Sequence, residues 1–295
     1  MAALAGTSLI AAESILALTP IAIKKAPLDP ISAIWSRTLS STALGYLLAG
    51  KDSRSVTAAE APYAVALGHA NLLHIASSYE SFRNLPAGQA MSLLYTYPLW
   101  NLVLNSTFGS DTFTAREYGF MALAALGSVL LNQDPGHTAA PVSGGKPRYW
   151  WGVSMGLVMA LTESAMHFLL RQLGWRDAAK SVWVVNGSAS VWLGVSQLAQ
   201  ELFFDGDGMK VQGNWWDAAL LTAFHGVTMF SGYWLRFFAV PRLSVVTYSL
   251  LSYAGLLASY VYGLFILGER PGWMSLVGAA LILVSGAFIE LGTAA

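Results

Sequence analysis

Two acidic side chains, Glu13 and Glu163, fall well inside long apolar stretches of the chain. An ionisable group in such a place costs at least a few kcal/mol unless it meets a partner or a wet cavity. Two roles fit: each carboxyl binds a cation or a proton, or each is paired or protonated and hydrogen-bonded between helices. His167 lies four residues after Glu163, so on a helix both side chains point the same way. It either relays protons to that glutamate or makes an interhelical hydrogen bond. His69, Asn71, His74 and His225 also lie within apolar stretches and read as polar cavity contacts. Their spacing matches no metal-ligand motif, so no metal is expected.

Aromatic residues are abundant, with 11 Trp, 12 Tyr and 13 Phe. Trp150, Trp151, Trp215 and Trp216 fall at the ends of apolar stretches, where indole rings form interfacial belts. Tyr79, Tyr95, Tyr97, Trp100, Trp183, Trp192, Tyr233, Tyr248, Tyr253 and Tyr260 lie deeper. Any one of these rings reads as helix packing. As a group beside two carboxylates they suit an ammonium ion, held through cation–π contact. The candidate substrate- and proton-binding set is therefore Glu13, Glu163, His167, Asn71, His225, Tyr79, Tyr97, Trp100, Trp183, Tyr233 and Tyr253. No catalytic residue and no cofactor is expected. Arg37 has two readings, a bidentate anchor for a carboxylate or phosphate or an interfacial side chain snorkelling to the membrane surface. The second is preferred, because Val185 stands at the matching place of the other half.

The elements that must carry these residues follow from composition. The chain has 295 residues, 55% hydrophobic and 11% charged, with a mean hydropathy of +0.52. An ordinary soluble domain carries about a quarter charged residues. Ten apolar stretches are each near the roughly 20 residues a membrane-crossing helix needs: 6–24, 31–50, 61–80, 85–107, 114–131, 150–172, 178–204, 214–238, 244–267 and 272–292. The apolar runs are continuous rather than alternating, which argues against a membrane β-barrel. The expectation is an all-α integral membrane protein of ten helices. The first stretch lacks a positive leader, carries Glu13 and runs into Lys24 and Lys25, so it reads as a retained helix rather than a signal peptide. The 16 basic and 16 acidic residues leave no excess to hold nucleic acid, and the absence of cysteine excludes disulfides and thiol chemistry.

The longest gap is rich in Pro and Gly, and it divides the chain into residues 1–132, a linker at 133–149, and residues 150–295. The two parts resemble each other. Glu13-Ser14 matches Glu163-Ser164, Asp29 and Trp35 match Asp177 and Trp183, Tyr79 matches Tyr233, Asn71 matches His225, Pro86 matches Pro241, and Gly127 matches Gly286. A repeat of five spans is odd, so the second copy enters the membrane from the opposite side, as in secondary transporters. Pro20 and Pro98 are candidate hinges, and Gly119, Gly127, Gly278 and Gly286 candidate close helix contacts. Basic residues do not decide orientation. Inner loops would hold Lys51, Arg54, Arg116, Arg171, Arg176, Lys180, Arg236 and Arg242, against Lys24, Lys25, Arg83, Lys146, Arg148, Lys210 and Arg270 outside.

The stretch Leu85-Pro86-Ala87-Gly88-Gln89-Ala90, followed by Tyr97-Pro98, resembles the third-to-fourth-helix region of EamA-type transporters of the drug/metabolite transporter superfamily. So does Gly268-Glu269-Arg270-Pro271-Gly272 leading into Val277-Gly278-Ala279-Ala280-Leu281-Ile282-Leu283-Val284-Ser285-Gly286. The resemblance implies ten helices in two inverted five-helix repeats, with both termini cytosolic. Ala12-Glu13-Ser14 with Lys24 beyond it is similar to the first helix of small multidrug resistance transporters, which implies proton exchange at Glu13 and, through the repeat, at Glu163.

These readings converge on a secondary active transporter of a small organic metabolite, an organic cation or amino-acid-like zwitterion, working by alternating access with proton coupling or exchange. The alternatives are a nucleotide-sugar or phosphorylated-metabolite exchanger, for which the spans lack basic residues, a transport-dead sensor, and a membrane-embedded enzyme, for which no nucleophile–base set is spaced suitably. No phosphate-binding loop occurs. The expected setting is a plasma or inner membrane, with a small-molecule substrate, protons and lipid as partners, no nucleic acid, and a monomer or homodimer.

Overall fold

The computed structural model describes residues 1–19, 30–85, 87–109, 111–131, 148–203, 214–262, 265–266 and 272–293. These residues are helical, with no strand among them. In chain order the helices are α1 (Ala2–Leu16), α2 (Pro30–Leu48), α3 (Ala61–Asn84), α4 (Ala87–Leu94), α5 (Tyr97–Phe108), α6 (Ala115–Leu131), α7 (Tyr149–Leu173), α8 (Ala178–Phe203), α9 (Trp215–Ala239), α10 (Val245–Ser252), α11 (Ala254–Tyr262) and α12 (Trp273–Thr293).

Local chemistry sets many of the ends. Thr114 and Glu117 form a reciprocal cap at the start of α6, the Thr114 N–H donating to Glu117 at 2.7 Å and the Glu117 N–H to the Thr114 hydroxyl at 3.3 Å. The Asp177 carboxylate accepts from the Ala179 N–H at 2.9 Å and so caps α8. Gly174, at φ +60°, ends α7 in the left-handed conformation that a side chain would resist.

Two of the ten predicted stretches are each broken into two helices. Between α4 and α5 the Thr96 hydroxyl turns back to the Leu93 carbonyl at 2.7 Å, and Pro98 brings no N–H to the helix that follows. Between α10 and α11 the break falls at Tyr253, where no proline stands and the Ser252 hydroxyl bonds the Tyr248 carbonyl at 2.7 Å. Pro98 was an expected hinge; the second break had no such signal. Pro20, Asp29 and Pro86 lie outside the described residues.

The packing obeys one rule. Helices α3 and α7 pair as α9 and α1 do; α3 meets α8 as α9 meets α2; α7 rests on α4 and α5 as α1 rests on α10 and α11. Of the remaining pairs, α2 with α8, α6 with α12 and α5 with α10 join corresponding elements, while α8 with α9 has only a weaker counterpart in α2 with α3. Exchanging the five elements up to residue 131 with those after residue 148 therefore maps the main packed pairs onto themselves. Small residues permit the approaches: a Cβ at Gly127 of α6 would stand 2.7 Å from the Gly278 carbonyl oxygen of α12. Gly119, expected at a close contact, faces open space instead.

Large apolar side chains lie on the outside of the bundle as well as in its core. Leu47, Val191, Leu220 and Leu283 are exposed, while Glu13, Glu163, Arg37 and Arg236 are buried. Among the described residues, two stretches, Tyr149–Leu173 and Val245–Tyr262, are long and apolar enough to cross a membrane on length and composition, where the sequence reading expects ten. As described, α1 has 15 residues and α6 has 17, short of a full crossing.

Candidate functional site

At the centre of the bundle, Arg236 of α9 lies between two carboxylates. Its Nε donates to Glu13 Oε1 of α1 at 2.8 Å, its Nη2 lies 2.6 Å from the same oxygen, and its Nη1 bonds Glu163 Oε1 of α7. The three side chains come from three helices and are at most 5% exposed. Burying such charges is expensive, and mutual pairing with good geometry is what offsets it. The Tyr95 hydroxyl donates to the other Glu13 oxygen at 3.3 Å. The Arg236 guanidinium stands 5.8 Å from the Tyr97 ring and 5.7 Å from the Tyr233 ring.

Two histidines complete this arrangement. His74 Nδ1 is 3.3 Å from Glu163 Oε2 and 3.1 Å from the Met159 carbonyl oxygen. A carbonyl only accepts, so Nδ1 carries the proton. His167 Nε2 is 3.6 Å from Glu163 Oε1 and shares a 2.7 Å hydrogen bond with the Tyr248 hydroxyl. The Tyr97 ring packs on His167 at 5.5 Å, and the Tyr95 ring stacks on Tyr253 at 6.0 Å, joining the two helix breaks.

Beside this ionic triad lies a cavity of about 50 Å³, lined on its polar side by Glu13, Glu163, Arg236, His74, Arg37 and Tyr233. It reaches Leu16, Thr19, Phe82, Met91 and Leu94 at its apolar side. Such a volume holds a few waters. An organic solute therefore enters only if the surrounding helices part.

A second ionic cluster closes the opposite end of α3, whose 24 residues span about 36 Å. Lys180 Nζ lies 2.8 and 3.1 Å from the two Glu60 oxygens, and the Trp175 indole N–H donates to Glu60 at 2.6 Å. Burial works to raise the Glu60 carboxyl, but hydrogen bonds from Lys180, the Thr57 N–H, Trp175 and the Thr57 hydroxyl hold it down at about 2.

The sequence-derived set divides. Glu13, Glu163, His167, Tyr97 and Tyr233 come together, and Tyr253 joins them through Tyr95. Tyr79 is buried on α3 but does not line the cavity. Trp100 does not belong to the site: it is 37% exposed on the bundle's outside. Trp183 is likewise elsewhere, its indole donating to the Ser53 carbonyl at 3.1 Å and its ring edge-on to Tyr46. Asn71 pairs with Asn186 across α3 and α8 at 3.3 Å, and His225 is buried three turns before Arg236, outside the cavity lining.

Arg37 is corrected outright. It is 3% exposed, lines the cavity and donates from Nη2 to the Tyr233 hydroxyl at 2.8 Å, so it does not snorkel. Arg236, assigned to a loop from the sequence, is the residue the reading missed. It occupies the same step after Tyr233 that Phe82 occupies after Tyr79, and both line the cavity. Two carboxylates in apolar helices demand a cation nearby, and that requirement was the available signal. Both glutamates pair with Arg236. Among the described residues, no group of three or more His, Asp or Glu is arranged to hold a metal ion.

No protein-family model matches the chain, and no curated protein matches it. A solved structure described only as a crystal structure of a protein is similar over 96% of this chain and 96% of its own length, with a TM-score of 0.74 at 16% identity. At that identity the likeness concerns the fold alone.

Proposed function

We propose that this chain is an integral membrane protein, a secondary transporter of the drug/metabolite kind, with ten crossing elements in two inverted five-element halves. It moves a small organic solute by alternating access, and the buried carboxylates couple that movement to protons. The observation that carries this reading is the Glu13–Arg236–Glu163 triad, buried beside a cavity at the junction of the two halves in a bundle with an apolar exterior. Three further features support it. The main packed pairs are preserved when the halves are exchanged. The fourth element of each half is broken, and interrupted helices at corresponding positions accompany midplane binding sites in transporters. Glu163 touches two histidines, a suitable route for a proton. The protein sits in a plasma or inner membrane with both termini cytosolic, as a monomer or homodimer, and needs no cofactor.

The test is flux. Purified protein in liposomes, given labelled amino acids and small amines under an imposed pH gradient, is expected to accumulate at least one solute. Glu13→Gln and Glu163→Gln should fold and lose the pH dependence of that flux. Unchanged pH dependence in both variants would sink the coupling role, and absence of any flux from protein that binds solute would sink transport.

A further inference from the structure

Arg37 is the one cavity-lining arginine that makes no direct ion pair among the described residues; the Glu163 carboxylate acts on it only from beyond contact distance. Arg236 faces two carboxylates, whereas Arg37 makes no ion pair and touches only the phenol of Tyr233, through a 2.8 Å hydrogen bond and a 5.3 Å approach to its ring. Its Nε–H is buried and meets no acceptor. A guanidinium is charged at every working pH and offers five donors in a planar fork. Leaving one buried without a carboxylate in contact is costly, and this one borders the space where a solute would lie.

The charges around the cavity are divided. Glu13, Glu163 and Arg236 together carry one net negative charge when the histidines are neutral, and Arg37 carries one positive charge of its own. Tyr233 stands between them, its ring 5.3 Å from the Arg37 guanidinium and 5.7 Å from that of Arg236. Because its oxygen accepts from Arg37, its own proton is left to donate to an anion. One buried arginine and one phenol match a single negative charge with two acceptor oxygens, which describes a carboxylate. A phosphate dianion would need a second cation, and Arg236 is occupied by its two glutamates.

We infer that Arg37 and Tyr233 form a carboxylate subsite, so that the solute is a zwitterion with its carboxylate on Arg37 and its ammonium at the Glu13–Glu163 side. The inference rests on the transporter reading above and narrows its solute to amino acids rather than organic cations.

The experiment compares the twenty amino acids, and for each one that stabilises the purified protein, its carboxamide, its deaminated acid and inorganic phosphate. Ligand that binds only the folded state raises the melting temperature by an amount that grows with the logarithm of its affinity. At least one amino acid should stabilise wild type. Its carboxamide should bind about 30-fold more weakly or worse, the loss expected when one partner of a buried ion pair is removed. Arg37→Gln should weaken the amino acid by a similar factor and leave the carboxamide unchanged. Arg37→Lys keeps the charge without the fork, and serves if the glutamine variant fails to fold: it should melt cooperatively and bind the amino acid at least tenfold more weakly. Equal binding of amino acid and carboxamide, tighter binding of phosphate, full affinity in the arginine variants, or no stabilisation by any amino acid would each overturn the subsite. Vesicle flux separates this from the parent reading. Amines that cross while amino acids do not would remove the subsite and keep the transporter; amino acids that bind through Arg37 and never cross would do the reverse.

Discussion

Glu163 and Glu60 each face a cation and an aromatic ring, yet their surroundings differ in one respect that governs everything else. The Glu163 and Arg236 side chains are 1% and 5% exposed, whereas Glu60 and Lys180 are 18% and 12% exposed at a helix start. In the interior, water does not screen the charges and cannot replace a lost partner. At the bundle end, solvent stands ready to do both. A glutamate paired with a cation is thus shielded from water in one place and open to competition from it in the other.

Removing the cation separates the two regions most strongly. Arg236→Met leaves two buried carboxylates without a counter-charge and is expected to cost about 3–5 kcal/mol, read as a large fall in melting temperature in detergent. Should it cost no more than Lys180→Met, the contrast between the regions fails. Glu13→Gln should cost less, about 1–3 kcal/mol, because Arg236 retains Glu163 as partner; melting of the same preparations ranks the two. Lys180→Met should cost about 1 kcal/mol or less. Its effect should shrink further in high salt, while that of Arg236→Met should not. A pH dependence isolates the same cluster. With the Glu60 carboxyl at about 2 in the folded chain against an ordinary 4.5, its contribution to stability is fully present above about 4.5 and disappears as pH falls towards 2. A titration of melting temperature across that window should show a loss that Lys180→Met reduces.

Much of this arrangement was visible in the sequence. Glu13 and Glu163 stand out because a carboxylate in an apolar stretch has few innocent explanations, and nine of the ten expected stretches begin and end within a few residues of the observed helices or helix pairs. The break before Pro98 follows from the missing N–H. What stayed hidden depends on direction. Arg236 sits in the last turn of α9, where an arginine at a membrane edge and an arginine turned inward are identical in sequence. Val185, the positional counterpart of Arg37, argues for an interfacial arginine, although the second cation of the site comes from a different element of the other half. Trp100 and Trp183 have the right chemistry on the wrong faces, a matter of helix rotation that ring type does not encode. The break at Tyr253 is built from serine back-bonding and packing, without a residue that forbids continuation.

The stacked rings of Tyr95 and Tyr253 also bear on how this molecule can be watched. Each ring sits at the elbow of a broken helix, and each elbow presses on the other. On the transporter reading proposed above, bending at one joint has to slide its ring against the other, so the two elbows are expected to move together. One distance, measured between one label on each half in a chain that has no native cysteine to compete for it, then tests that coupling.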